Sequence, residues 1–180
     1  MRTRTVICRP RTRTEKEHEV TTKQEIIEAI QSVDERLATL RDQILASSEK
    51  PLLEGTWRVR DALSHLAARA NGVARVMARV EAAANPQAAQ PAAPRTVDEI
   101  NAGQVEERVD RTVEQLLDEI RDGHRAAMEA IHRIEDAVLE KMIPMGFRPG
   151  EVAVGEMMAM GGPRHDHNHI QQIEDAVKST

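Results

Sequence analysis

The sequence predicts an all-α fold, a single four-helix bundle, and three observations carry that expectation. The chain has 180 residues, a length that suits one domain. It holds one Trp, one Phe and no Tyr, so its core must be built from Leu, Ile, Val, Met and Ala, a set that favours helix over strand. Apolar residues recur at spacings of three and four over long stretches, and charged residues, 31% of the chain, fill the positions between them, which is the pattern of helices with one buried stripe.

The first helix is expected over residues 22–47. Thr22 is its cap and Glu25, three residues on, completes a capping box. Ile26, Ile30, Val33, Leu37, Leu40 and Ile44 then form a bundle seam. Lys50, Pro51 and Gly55 mark a loop. A second helix is expected from about residue 56 or 57 to 84, with Val59, Leu63, Leu66, Ala70, Val73, Met77 and Val80 as its seam. It ends at Asn85-Pro86, where a stretch with three prolines reads as a connection. A long third helix over 97–142 carries Val109, Val113, Leu116, Ile120, His124, Ala127, Ile131, Ile134 and Val138, with Gly123 placed to bend or split it. On that seam His124 reads as a satisfied core histidine. Pro144, Gly146, Pro149 and Gly150 make a turn, and the last helical region covers 151–178, interrupted at Gly161-Gly162-Pro163. No strand pattern is visible. The methionines around the last turn, from Met142 to Met160, read as flexible packing.

Charge divides the chain into a tail, residues 1–21, and a bundle domain, residues 22–180. The tail is expected to be flexible; six basic and three acidic groups leave it at +3 and the rest of the −5 chain at −8. An acidic body without aromatic platforms argues against nucleic acid as a partner. Cys8 is the single cysteine, which excludes an internal disulfide and fits a reducing, cytoplasmic setting. No apolar run approaches a membrane span, and the N-terminus lacks the apolar core of a signal peptide. His18 and His132 lie off any seam and read as solvated.

Chemistry concentrates near the C-terminus, in His165-Asp166-His167-Asn168-His169. On a helix, positions i and i+4 share a face, so His165 and His169 can grip one ion, while His167 points away. Imidazole suits transition metals, and a helix-borne pair needs a further ligand from elsewhere. His65 is the candidate for it, although spacing alone puts it on the shoulder of its helix, about 120° from the seam, where a surface histidine is the favoured reading.

Residues 57–66, WRVRDALSHL, resemble the helix-two signature of the DinB-like (YfiT-type) superfamily, and residues 165–173, HDHNHIQQI, resemble its closing H-D-x-x-H-x-x-Q-I element. The resemblance spans about residues 22–178. It implies a DinB-like bundle in which His65, His165 and His169 hold one divalent transition metal such as zinc, nickel, iron or manganese. Family members include thiol S-transferases that use low-molecular-weight thiols, maleylpyruvate isomerase-like proteins, and hydrolases. The sequence departs from the family pattern at Arg58, at the Gly-Gly-Pro break, and at Arg69, Ala70 and Asn71, where an aromatic residue is often found.

Around these ligands, Asp61, Asp166, His167, Gln172 and Arg69 are the candidates for supporting or substrate contacts, with an arginine salt bridge the favoured role for Asp61. The expected function is that of a metal-dependent thiol S-transferase or hydrolase acting on a small electrophile, with a low-molecular-weight thiol as cosubstrate, in a homodimer without nucleic acid or membrane partners. The alternative is a non-catalytic bundle of the same superfamily that sequesters a small molecule around a structural metal.

Overall fold

Eight helices and one short ribbon follow from these patterns in a computed structural model that describes residues 21–85, 95–145 and 149–179. The order is α1 (Lys23–Ala46), α2 (Val59–Arg69), α3 (Gly72–Ala84), α4 (Val97–Glu106), α5 (Val113–Arg133), α6 (Asp136–Leu139), β1 (Met142–Pro144), β2 (Glu151–Ala153), α7 (Val154–Ala159), a π-helical turn (Met160–Arg164) and α8 (His165–Lys178). Four of these make the bundle: α1 and α2 each pack on both α5 and α8. The tail up to residue 20, with Cys8 and His18, lies outside the described residues, as do most of the proline-rich connection and Gly146.

The first helix forms as expected. Thr22 Oγ1 accepts from the Glu25 backbone N–H at 3.2 Å, and the Glu25 carboxylate accepts from the Thr22 N–H at 2.7 Å. Every residue of its seam is buried. Thr96 with Glu99 and Thr112 with Gln115 repeat the same reciprocal cap at the starts of α4 and α5.

Three expectations need correction. The second helix is two helices, broken at Ala70-Asn71. The third is interrupted over residues 107–112, so that Val109 is 62% exposed instead of lying on a seam, and it ends at Arg133, not near 142. Thr112 can cap a helix, which is the physical reason for the restart: the competing local bond to the Gln115 N–H wins over continuation. A small antiparallel ribbon is also present, pairing Met142 with Ala153, Ile143 with Val152 and Pro144 with Glu151; three-residue strands are too short to show alternation in sequence.

Gly123 does not split α5, which runs through it. Its role is contact. A Cβ there would meet Ala70 Cβ at 2.5 Å and the Asn71 backbone nitrogen at 3.2 Å, so glycine lets α5 touch the backbone at the α2–α3 break. Gly123→Ala is expected to destabilise the fold by about 1–3 kcal/mol through overpacking, despite alanine's better helix propensity; a urea midpoint at or above wild type would contradict this.

The core divides into two apolar clusters. One joins Leu37, Ile44, Leu63, Leu116, Ile120 and Ile173; the other joins Ile26, Ile30, Val73, Ile131, Val154 and Met158. Along α1, α5 and α8 the polar residues Asp34, His124 and Asp166 occupy the boundary between them. Among the described residues, no helix is long and apolar enough to cross a membrane.

Candidate metal centre

His65 sits in the middle of α2, and the regular helix carries it into the interior, 2% exposed. The shoulder position read from spacing is buried because α4 covers that side of α2: Gln104 of α4 accepts a hydrogen bond from His65 Nδ1 at 2.8 Å. His165 opens α8 and His169 follows one turn later. The Gly-Gly-Pro break before them forms the π turn, with Gly162 at φ −114°, ψ −110°, and leaves the pair on one face, their ring centroids 4.6 Å apart.

The three rings meet. His65 lies 5.0 Å from His165 and 4.9 Å from His169, centroid to centroid. One ring nitrogen from each can be chosen so that all lie within 4.8 Å of one another. His65 Nε2 and His165 Nε2 are 3.1 Å apart. Two nitrogens bonded to one tetrahedral ion at about 2.1 Å would be separated by about 3.4 Å, so the spacing fits a shared cation.

Outer contacts fix the tautomers. His65 Nδ1 donates to Gln104 Oε1 at 2.8 Å, His165 Nδ1 to Asp166 Oδ1 at 3.1 Å, and His169 Nδ1 to Gln172 Oε1 at 2.8 Å. Carbonyl and carboxylate oxygens only accept, so each Nδ1 carries a hydrogen, which makes Nε2 the atom left to ligate when the ring is neutral. Such oxygen partners behind a histidine are what orients and strengthens it as a ligand. Burial, then the neighbouring His165 and His169, push His65 down to about 3. Burial and His165 also lower His169. Both rings therefore stay neutral at pH 7, the form a metal requires.

Of the other residues singled out by sequence, Asp166 and Gln172 contact the trio directly. Asp61 does not: it accepts from the backbone N–H, Nε and Nη2 of Arg58 and closes the cap of α2. Arg69 donates from Nη2 to the Gly161 carbonyl at 2.8 Å, tying the end of α2 to the π turn. His167 faces away, and its carbonyl accepts from Arg36 Nη1 at 3.5 Å. Trp57 lies against the trio, its ring 5.1 Å from His65 and 5.8 Å from His169.

Two residues escaped sequence reading. Gln104 belongs to a helix without a buried residue, so no periodicity flags it. Asp34 pairs with His124 Nδ1 at 2.6 Å, and His124 Nε2 lies 3.6 Å from Asp166 Oδ2. His124 is thus a buried core histidine, 2% exposed, linked through Asp166 to His165. Burial opposes its charge, yet the two carboxylates prevail and raise it to about 9. Asp166, only 4% exposed, is pushed up by burial and, more strongly overall, down by His124 and His165.

No curated protein matches the sequence. Solved structures do resemble the fold. The colibactin self-resistance protein ClbS, determined in complex with double-stranded DNA, is 19% identical, with a TM-score of 0.66 over 89% of this chain and 98% of its own. YfiT from Bacillus subtilis, described as a probable metal-dependent hydrolase with an unusual four-helix bundle topology, is 18% identical with a TM-score of 0.65, covering 94% and 91%. DfsB, a sibling lethal factor precursor, is 12% identical with a TM-score of 0.66, covering 87% and 95%. The fold is that of the DinB-like helical superfamily, as the two motifs imply. The family model described as the mycothiol maleylpyruvate isomerase N-terminal domain matches residues 27–160, a span that includes His65 and stops before His165. That match covers well over half of the sequence, and the chain belongs to this family.

Proposed function

We propose that the chain is a metal-dependent enzyme that acts on a small electrophile by thiol S-transfer or hydrolysis, with His65, His165 and His169 holding one divalent transition metal. The observation that supports this most is the convergence of the three imidazole rings, one ring nitrogen from each within 4.8 Å of the others and the His65 and His165 Nε2 atoms 3.1 Å apart. A cation shared by His65 and His165 would sit between two ring nitrogens already at ligand spacing. A bound divalent ion supplies Lewis acidity there and makes a water or thiol nucleophilic near neutral pH.

The chain's own residues orient and enclose. Gln104, Asp166 and Gln172 hold the rings in the ligating tautomer, and the Trp57 ring screens His65 and His169. A cavity of about 480 Å³ between Trp57, Leu52 and the α4 residues Asp98, Asn101 and Ala102 gives a small substrate room beside that ring. The family name points to mycothiol, a low-molecular-weight thiol, and the YfiT description to hydrolysis, so both nucleophiles are carried into the test. The body of the chain is acidic, which favours a small molecule over the duplex DNA bound to ClbS.

The test is turnover of electrophilic model substrates by the metal-loaded chain, with and without mycothiol. Turnover that requires the thiol assigns transfer; turnover without it assigns hydrolysis. Stoichiometric metal with no turnover in either arm would reject the enzymatic reading in favour of the non-catalytic bundle.

A further inference from the structure

A second cavity, of about 330 Å³, lies among α1, α2, α3, α5, α7, α8 and the π turn. Asp166 and His124 form part of its wall, but none of the three site histidines does. Most of the wall is apolar, with Ile26, Ile30, Val73, Val76, Met157 and Met158. Three guanidinium groups, those of Arg69, Arg75 and Arg79, complete it.

The partners of these arginines are unusual for this chain. Arg36, Arg58, Arg108 and Arg164 all meet carboxylates. Around the cavity the acceptors are carbonyls. Arg69 donates to Gly161 O at 2.8 Å, Arg75 to Ala68 O at 2.9 Å and Arg69 O at 2.7 Å, and Arg79 to Pro144 O at 2.7 Å. Arg79 also approaches Met157 Sδ at 3.7 Å. Arg69 Nε is, among the described residues, the one buried side-chain nitrogen or oxygen with no hydrogen-bond partner. The one carboxylate in the wall, Asp166, is already engaged by His165 and His124. Among the described residues, none of the three guanidinium groups meets a carboxylate directly: Asp166 acts on Arg69 and Arg75 only through space, and Arg75 keeps a solvent-exposed side, so three positive charges border one mainly apolar space in a chain of net charge −5.

Guanidinium groups match oxyanions in shape and charge, and a concave apolar space with a few convergent polar groups is the usual form of a small-molecule site. We propose that this cavity binds an amphipathic organic anion, a medium-length apolar tail with a carboxylate or phosphate monoester head, the head held by Arg69, Arg75 and Arg79 and the tail packed on the isoleucine, valine and methionine wall. A volume near the lower end of the usual range of about 300–1,000 Å³ suits a tail of octyl size. This site stands independently of the metal reading.

Calorimetric titration of the full chain with octanoate, octyl phosphate and octanamide tests it. At least one of the two anions is expected to saturate at one per chain, at least tenfold more tightly than the amide; whichever binds more tightly names the head group. Arg75→Gln and Arg79→Gln should each weaken the anion about tenfold or more and leave the amide unchanged. Val76→Phe, which fills the cavity, should abolish binding of both. His169→Ala should leave anion binding intact, which separates failure here from failure of the metal site. Equal binding of anion and amide, an anion affinity unmoved by both arginine variants, or no saturable binding would overturn the proposal.

Discussion

Purified without a histidine tag, the chain should carry about one transition-metal ion per molecule, and His169→Ala should carry almost none. Three neutral ligands hold an open catalytic ion, whereas two rarely retain one. The loss should therefore exceed the 10–100-fold weakening typical of removing an outer partner. Gln104→Leu supplies that smaller step: it leaves the three imidazoles in place and removes only the oxygen that fixes His65. The fold should survive in both variants, because His169 is only partly buried on α8 and Gln104 lies on a helix without a buried residue, so circular dichroism should be unchanged while elemental analysis separates the three proteins. Metal should also raise the stability of the wild type, by about 4 kcal/mol at a free concentration 1,000 times Kd, and a chelator should remove that gain. Equal metal content in wild type and His169→Ala would reject the trio as the binding site.

The site and the bundle were legible to different depths. His165 and His169 announce themselves because a four-residue spacing on a helix is enough to put two ligands on one face, whatever the rest of the chain does. His65 was a candidate by residue type, and only the DinB-like motif favoured it as a ligand over a surface histidine. Its angular position places it off the seam, and its burial depends on α4, a helix separated from α2 in the chain by the whole of α3 and the connection after it. Gln104 illustrates the same limit: its partner is 39 positions away, and nothing in the local pattern of α4 marks it. The seams of α1 and α5 were readable because their apolar residues all face one neighbour set, whereas the ends of the long helices were not. Asn71 and Gly72 weaken the helix locally without showing that the chain turns there, and a cap at Thr112 and the close approach of Gly123 to Ala70 complete the two breaks.

Stability of the metal-free chain should peak near pH 6.5, and His124→Leu should remove the alkaline side of that peak. His124 titrates at about 9 in the folded chain against an ordinary value of 6.5, so the folded state binds its proton more tightly. The stabilisation is complete below about 6.5, shrinks as pH rises and is lost once pH passes about 9. A displacement of that size corresponds to about 3 kcal/mol. His65 acts in the opposite direction: with a folded value of about 3, the unfolded chain takes up the proton first, and stability falls as pH drops below 6.5. Asp166 adds to the acid side, because a carboxyl held below its ordinary value by His124 and His165 against the cost of burial stabilises only while ionised. Leucine at position 124 would leave the Asp166 carboxylate, 4% exposed, without one of its two histidine partners, and a broken buried pair costs about 3–5 kcal/mol. Urea midpoints at pH 6.5, 8 and 9.5, measured with chelator present, read both effects: a falling series for the wild type, and for the variant a series that starts lower and stays level. A wild-type midpoint that does not move between pH 6.5 and 9.5 would mean that His124 is neutral in the folded chain and that Asp34 and Asp166 hold it by hydrogen bonding alone.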